Sequence, residues 1–253
     1  MKGIVLAGGK GTRLMPLTKA TNKHLLPVGR KPMIFYPIEK LTEAGITDIM
    51  IITGTDHMGD MINMLGSGKD LGCKLTFKVQ DEPDGIAGAL SLCKDFVGED
   101  TVAVLLGDNI FEESIEKYVK KFSSWMTMSE VNDSKLCMLI LKEVKHARRF
   151  GVATVENDEI VEIVEKPKTP KSNLCVTGIY FYDKHVFDFV KELSVSERGE
   201  FEITDVNNCY INNGIARYDT LAGWWTDAGT SFEALFRASK LAREKIIGRG
   251  QSD

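Results

Sequence analysis

Four short apolar runs mark the first half of the chain: Ile4–Ala7, Ile49–Thr53, Leu75–Val79 and Val102–Leu106. Each reads as a strand. Between them lie stretches of helical character at Pro32–Ala44, Met58–Leu65, Ile86–Phe96 and Ile115–Phe122. In the first stretch Met33, Ile34, Pro37, Ile38 and Leu41 recur at helical spacing, and Gly45 follows as a stop signal. Strand and helix in alternation predict a parallel sheet with helices on both faces. The run Val102–Leu106 (VAVLL) suits a strand buried on both sides. The second half is richer in strand patterns, at Leu136–Val144, Gly151–Val155, Ile160–Glu165 and Val176–Tyr182. Helices are expected at His185–Leu193, Ile203–Asn213 and Ser231–Ile247, followed by a polar, frayed tail, Gly248–Asp253. Lys166–Ser172 (KPKTPKS) reads as a loop, not as a hinge between domains.

Composition narrows the class. The 253 residues are 43% hydrophobic and 27% charged, which suits one large α/β domain with a sizeable core. A net charge of −4 argues against a general nucleic-acid or membrane surface, so any anionic ligand must be held by local cations. Cys73, Cys93, Cys137, Cys175 and Cys209 are odd in number and show no CxxC pair, which predicts free thiols. The histidines are scattered, so no zinc site is expected. The apolar part of MKGIVLAGGKGTR is too short for a signal peptide, and no run of about 18 apolar residues exists. A cytoplasmic protein is expected.

The first strand runs into Gly8-Gly9-Lys10-Gly11-Thr12-Arg13-Leu14. Glycines let the backbone turn sharply and bring its N–H groups against phosphate oxygens. The position also fits, because open parallel sheets bind ligands beyond the carboxyl ends of their strands. A P-loop is excluded by the missing Gly-Lys-Ser/Thr. A dinucleotide loop is disfavoured because Leu14 stands where its third glycine belongs.

The longer run G-G-x-G-T-R-L-x-P-x-T, with Lys23 ten residues after Arg13, resembles the signature of the sugar-nucleotide pyrophosphorylases. Within that sugar nucleotidyltransferase family, the pattern is most similar to the short glucose-1-phosphate thymidylyltransferases. The likeness continues through Pro83-Asp84-Gly85, Leu106-Gly107-Asp108-Asn109, Arg149-Phe150-Gly151-Val152 and Glu165-Lys166-Pro167. It goes on through Val176-Thr177-Gly178, Arg198-Gly199-Glu200, Glu202-Ile203-Thr204-Asp205 and Trp225-Thr226-Asp227-Ala228-Gly229-Thr230. Departures occur at His24 and Gly88, where the family often has glutamine, and at Lys145–Arg148 before the Arg-Phe-Gly-Val strand.

The resemblance implies an α/β, Rossmann-like, mostly parallel mixed sheet flanked by helices, with a small β-rich sugar-binding part. It implies a single domain over 1–253, nucleotide-binding mainly in 1–123 and sugar-binding mainly in 124–253. The implied reaction is attack of a glucose 1-phosphate oxygen on the α-phosphorus of dTTP, giving dTDP-glucose and pyrophosphate. That is the first step toward dTDP-rhamnose or another deoxysugar. Homo-oligomers, dimeric or tetrameric, are usual in the family.

Both reactants are polyanions, so catalysis must rest on charge neutralisation and in-line alignment. By resemblance, Arg13, Lys23 and Lys166 are the catalytic cations, and Lys166 and Arg198 grip the sugar phosphate. Leu6, Gly8, Gly9, Gly11, Thr12, Arg13, Lys23, Gln80, Gly85 and Asp108 match nucleotide positions. Gln80 carries both a donor and an acceptor, as a thymine or uracil edge requires. Asn109, Gly151, Glu165 and Val176 match positions around the glucose, and Trp224 and Trp225 are candidates to line the sugar side. Asp108 and Asp227 each read alone as turn or N-cap residues. Inside the two family motifs they read together as carboxylates on one Mg2+. The alternatives are a UTP-dependent enzyme, an inactive nucleotide-sugar sensor subunit, and a dehydrogenase. The five charged residues Arg13, Lys23, Asp108, Lys166 and Asp227 speak against the last two.

Overall fold

The computed structural model describes residues 1–128 and 135–249, with side chains described through 244. In chain order the elements are β1 (Lys2–Ala7), β2 (Pro27–Val28), β3 (Lys31–Pro32), α1 (Phe35–Glu43), β4 (Asp48–Gly54), α2 (Met58–Leu65) and β5 (Lys74–Gln80). Then come α3 (Ile86–Ser91), α4 (Lys94–Val97), β6 (Val102–Leu106), β7 (Asn109–Phe111), α5 (Glu116–Thr127) and β8 (Leu136–Glu143). The last are β9 (Gly151–Glu156), β10 (Glu159–Glu165), β11 (Leu174–Tyr182), α6 (Val186–Glu192), α7 (Ile203–Asn213), β12 (Ile215–Thr220), β13 (Trp225–Asp227) and α8 (Phe232–Arg249).

One nine-stranded mixed sheet, among the described residues, runs through both halves of the chain. Its order is β10-β9-β11-β6-β1-β4-β5, with β8 paired to β11 and β12 paired to β8. The β6-β1-β4-β5 block is parallel, while β11 runs antiparallel to β6. The expected β-rich second half therefore extends the main sheet. Alternate residues of the central strands feed its two faces. Ile4, Ile52 and Val104 pack into one apolar cluster, and Val5, Ile51 and Leu105 into the other. Fully apolar strands are what a sheet covered on both sides demands. All five cysteines are free thiols, three of them buried and Cys73 and Cys209 half-buried.

Differences from the sequence reading have local causes. The helix expected from Pro32 begins at Phe35, because Lys31–Pro32 pairs with Pro27–Val28 in a two-stranded ribbon. The single helix expected over Ile86–Phe96 is broken into α3 and α4. The Ser91 hydroxyl donates to Gly88 O at 2.6 Å within α3, offering the backbone a competing partner. The expected frayed tail Gly248–Asp253 lies outside the described residues beyond Arg249.

Two features position the site. The parallel registers pair Ala7 with Thr53, Gly54 with Gln80 and Leu6 with Leu106, so four strands end along one edge. The small ribbon β7–β13 pairs Asn109 with Asp227, and Ala228 N donates to Asp108 O at 2.8 Å. That pairing brings Asp108 and Asp227, 119 positions apart in the chain, to the same strand ends.

Candidate active site

A cavity of about 520 Å³ opens at these strand ends. Leu6, Gly8, Gly9, Gly11, Thr12 and Arg13 form one wall. Gly11 has φ +64°, and a Cβ there would meet Thr18 Cγ2 at 2.8 Å and Lys23 Cβ at 2.9 Å, so only glycine fits. Thr18 holds the turn by donating to Gly11 O at 2.9 Å. Arg13 is exposed at the rim and makes no ion pair among the described residues.

Lys23 leaves the loop and goes inward. Its Nζ sits 2.5 Å from Asp108 Oδ2, and both side chains are largely buried. Burial alone would push the ammonium down, but the Asp108 carboxylate outweighs it, and the net direction is upward. The same contact, against the opposing effect of burial, holds the Asp108 carboxyl down at about 2. Asp227 goes the other way. Burial, and then repulsion from Asp108, push its carboxyl up to about 7. His24, next to Lys23, is buried and kept neutral. Burial and the neighbouring ammonium lower it to about 3, and its Nδ1 lies 2.8 Å from Asn22 Oδ1. Gly229 completes this corner, since a Cβ there would lie 2.2 Å from Asp108 Oδ2.

Gln80 and Gly85 also line the cavity, with Gln80 Oε1 close against Gly8, where a Cβ would meet it at 2.8 Å. The Gln80 amide donates to Asp84 Oδ1 at 2.5 Å and to Gly85 O at 3.2 Å, so its donor arm is engaged. Gly85, at φ +104°, packs against the Phe201 backbone, where a Cβ would meet O at 2.6 Å. Gly88 leaves the space that the Asp84 carboxylate takes, with a Cβ position 2.2 Å from Asp84 Oδ1.

A second cavity, about 130 Å³, adjoins the first. Asn109, Gly151, Glu165 and Val176 all line it. Lys166 and Asp227 line both cavities, which places them at the junction. Lys166 has φ +42°, unusual for a residue with a side chain, and its N–H is anchored to Phe150 O at 3.0 Å. Its Nζ meets Glu165 Oε1 at 2.9 Å, and Arg198 Nη1 reaches the same oxygen at 3.2 Å. Burial would raise the Glu165 carboxyl, but Lys166 and Thr204 outweigh it and hold it low. Arg198 lines the larger cavity and also contacts Glu200 and Glu202. Asn109 is committed inside the wall: its Oδ1 accepts from Trp225 Nε1 at 2.7 Å and from Gly178 N at 3.3 Å. Trp225 lines the smaller cavity, edge-on to Phe150, whereas Trp224 packs against the cluster of Val28, Met33 and Ala238.

The family model described as "Nucleotidyl transferase" matches residues 2–245. The chain belongs to this family. A glucose-1-phosphate thymidylyltransferase from Neisseria meningitidis is 42% identical, covering 96% of this chain and 83% of the relative. One from Mycolicibacterium smegmatis is 41% identical, covering 99% and 85%. A crystal structure from Bacillus anthracis, assigned to the same enzymes, shares 53% identity with a TM-score of 0.89, covering 96% and 95% of the two chains. A UDP-glucose pyrophosphorylase structure at 24% identity and TM-score 0.82 shares the fold.

Within this nucleotidyl transferase fold, the structure adds residues that the sequence reading left without a role. Thr204 donates to Glu165 Oε2 at 2.7 Å, and Glu200 and Glu202 bracket Arg198. All three stand in family motifs, which was the available signal. Tyr180 and Asn207 also line the smaller cavity.

Proposed function

We propose that the chain transfers a nucleotidyl group from dTTP to glucose 1-phosphate, forming dTDP-glucose and pyrophosphate. The observation that carries the reading is the junction: two adjoining cavities share Lys166 and Asp227, where a bond between two phosphates must form. The substrates follow the activity named for the Neisseria and Mycolicibacterium relatives. In this reading one domain is divided by task. Residues 1–123 supply most of the larger, nucleotide cavity, and 124–253 supply most of the smaller, sugar cavity.

The mechanism follows from the charges. The loop Gly8–Thr12 presents its backbone to the triphosphate, and the unpaired Arg13 takes the departing pyrophosphate. Lys166 and Arg198 hold the phosphate of the incoming sugar. One of its oxygens forms the new bond to the α-phosphorus while the bond to the β-phosphate oxygen breaks. No proton need move in this step. The Gln80 donor is tied to Asp84 and Gly85, which leaves its Oε1 to meet an N–H on the base edge. Lys23 delivers charge at the α-phosphate side of the cavity, close to Asp108.

Asp108 and Asp227 fit a divalent cation. Asp108 is buried and Asp227 half-buried, and burial followed by repulsion from Asp108 pushes the Asp227 carboxyl up to about 7. Among the described residues no cluster of three or more His, Cys, Asp or Glu could hold a metal. Two carboxylates are enough for Mg2+, which usually keeps waters and phosphate oxygens as its other ligands. Bound there, Mg2+ would offset charge growing on the α-phosphate oxygens. A cytoplasmic homo-oligomer completes the proposal. No described helix is long and apolar enough to cross a membrane.

The test is pyrophosphate release with dTTP, UTP, ATP and GTP against a panel of sugar 1-phosphates. dTTP with glucose 1-phosphate should lead. UTP should follow, since one methyl is worth about 1–3 kcal/mol in a pocket. GTP giving the highest kcat/KM would defeat the base assignment and leave the reaction class standing.

A further inference from the structure

The smaller cavity has one wall on α7, where Ile203, Thr204 and Asn207 share a helix face. Thr204 already donates to Glu165, and on the opposite wall Asn109 is bound to Trp225 and Gly178. Asn207 differs. It is 1% exposed, and its Oδ1 accepts from the buried Tyr182 hydroxyl at 2.6 Å. Its Nδ2 is buried and has no hydrogen-bond partner. The other such atom among the described residues, Asp48 Oδ1, lies at the far end of β4, where its carboxylate faces Lys2. Buried polar groups are normally satisfied, so an orphan donor on a residue that lines a cavity needs an explanation.

We propose that Asn207 reads a hydroxyl of the sugar 1-phosphate, directly or through one bridging water, and so helps set which sugars are accepted. The inference rests on the function proposed above. A hydroxyl suits the position because it both donates and accepts, so it completes the amide whichever arm faces it. Tyr182 holds the amide from behind, which fixes the geometry before the sugar arrives. A site built this way discriminates strongly, because a sugar lacking the hydroxyl leaves a buried group unpaired.

The experiment compares kcat/KM for glucose 1-phosphate with its 2-, 3-, 4- and 6-deoxy analogues, in wild type, Asn207→Leu and Asn207→Ala, with dTTP as donor. Wild type should lose about 10-fold or more on at least one analogue. On glucose 1-phosphate the variants should lose a similar factor, yet show no further loss on that one analogue. Their KM for dTTP should stay within about twofold of wild type. Variants that fall equally on all five sugars would overturn the inference, as would a wild type that uses every analogue within about threefold of glucose 1-phosphate. The wild-type panel needs no variant, so poor folding of either variant does not remove the test. A wild type inactive on glucose 1-phosphate would overturn the functional reading and this inference with it.

Discussion

Gly229→Ala is a sharp probe of the aspartate corner. No unusual backbone angle is involved, so the effect is purely steric. The new methyl would stand 2.2 Å from Asp108 Oδ2, 3.0 Å from its Cγ and 3.1 Å from its Cβ, against an ordinary contact of 3.4–4 Å. The carboxylate must therefore move by about 1 Å or more. It is poorly free to do so, with Lys23 on Oδ2 at 2.5 Å and Asn109 on Oδ1 at 3.2 Å. Either the Lys23 pair breaks, or the turn after β13 backs away and opens the Ala228 N to Asp108 O bond of 2.8 Å. Overpacking costs about 1–3 kcal/mol, and losing a charge-assisted contact about 1.5–3. A total of roughly 2.5–6 kcal/mol leaves the fold standing in a domain whose stability lies above the low end of about 5–15 kcal/mol. Activity should suffer more, since a 1 Å misplacement of reacting groups can cost about 100-fold. The assays are urea denaturation and pyrophosphate release at saturating Mg2+. Gly59→Ala, with nothing within 4 Å of the added carbon, is the control and should be neutral or slightly stabilising. If Gly229→Ala kept kcat within threefold of wild type at unchanged stability, the proposed role of this corner would be wrong.

Lys166→Ala should cut kcat/KM for glucose 1-phosphate by about 10- to 100-fold and leave dTTP affinity by calorimetry nearly intact; equal losses for both would place the residue outside the sugar-phosphate grip. Asp108→Asn and Asp227→Asn should each lower kcat steeply and raise the Mg2+ requirement, with the double variant little worse than either single one, because both empty the same site. Fully additive losses, or normal turnover in EDTA, would count against a shared ion. In metal-free buffer the half-buried Asp227, with its carboxyl raised to about 7 from 3.8, favours its protonated form when folded. The resulting instability is absent below the unfolded pKa, grows as pH rises toward 7, and is full above it. Asp227→Asn should therefore stabilise the metal-free protein more at pH 8 than at pH 4, and urea midpoints that shift equally at both would contradict the assignment.

What was legible in the sequence was local. Strands such as Val102–Leu106 were readable because a strand buried on both faces must be apolar throughout. β12 was missed because its IARYDT is half-exposed and polar, as an edge strand's sequence is free to be. The ribbon β7–β13 was missed for a different reason. Three residues have no period to detect, yet their pairing brings Asp227 beside Asn109 and so to Asp108. The identities of the candidate site residues could be read from motifs, but the state of each side chain could not. Lys23 is buried on Asp108, Lys166 and Arg198 share Glu165, and Arg198 also carries Glu200 and Glu202. The Lys23–Asp108 and Arg198–Glu165 pairs join residues 85 and 33 positions apart and are set by the sheet, not by any window of sequence. They also bear on binding. In this cleft Lys23, Lys166 and Arg198 are each already paired with carboxylates, while Arg13 is not. At those three cations substrate phosphates do not enter an empty positive field; they exchange with carboxylates already in place. Binding by exchange gives up part of the raw Coulomb attraction. In return, the lysines and arginine are held in position before the substrates come, and ordering them adds little to the entropic cost of binding.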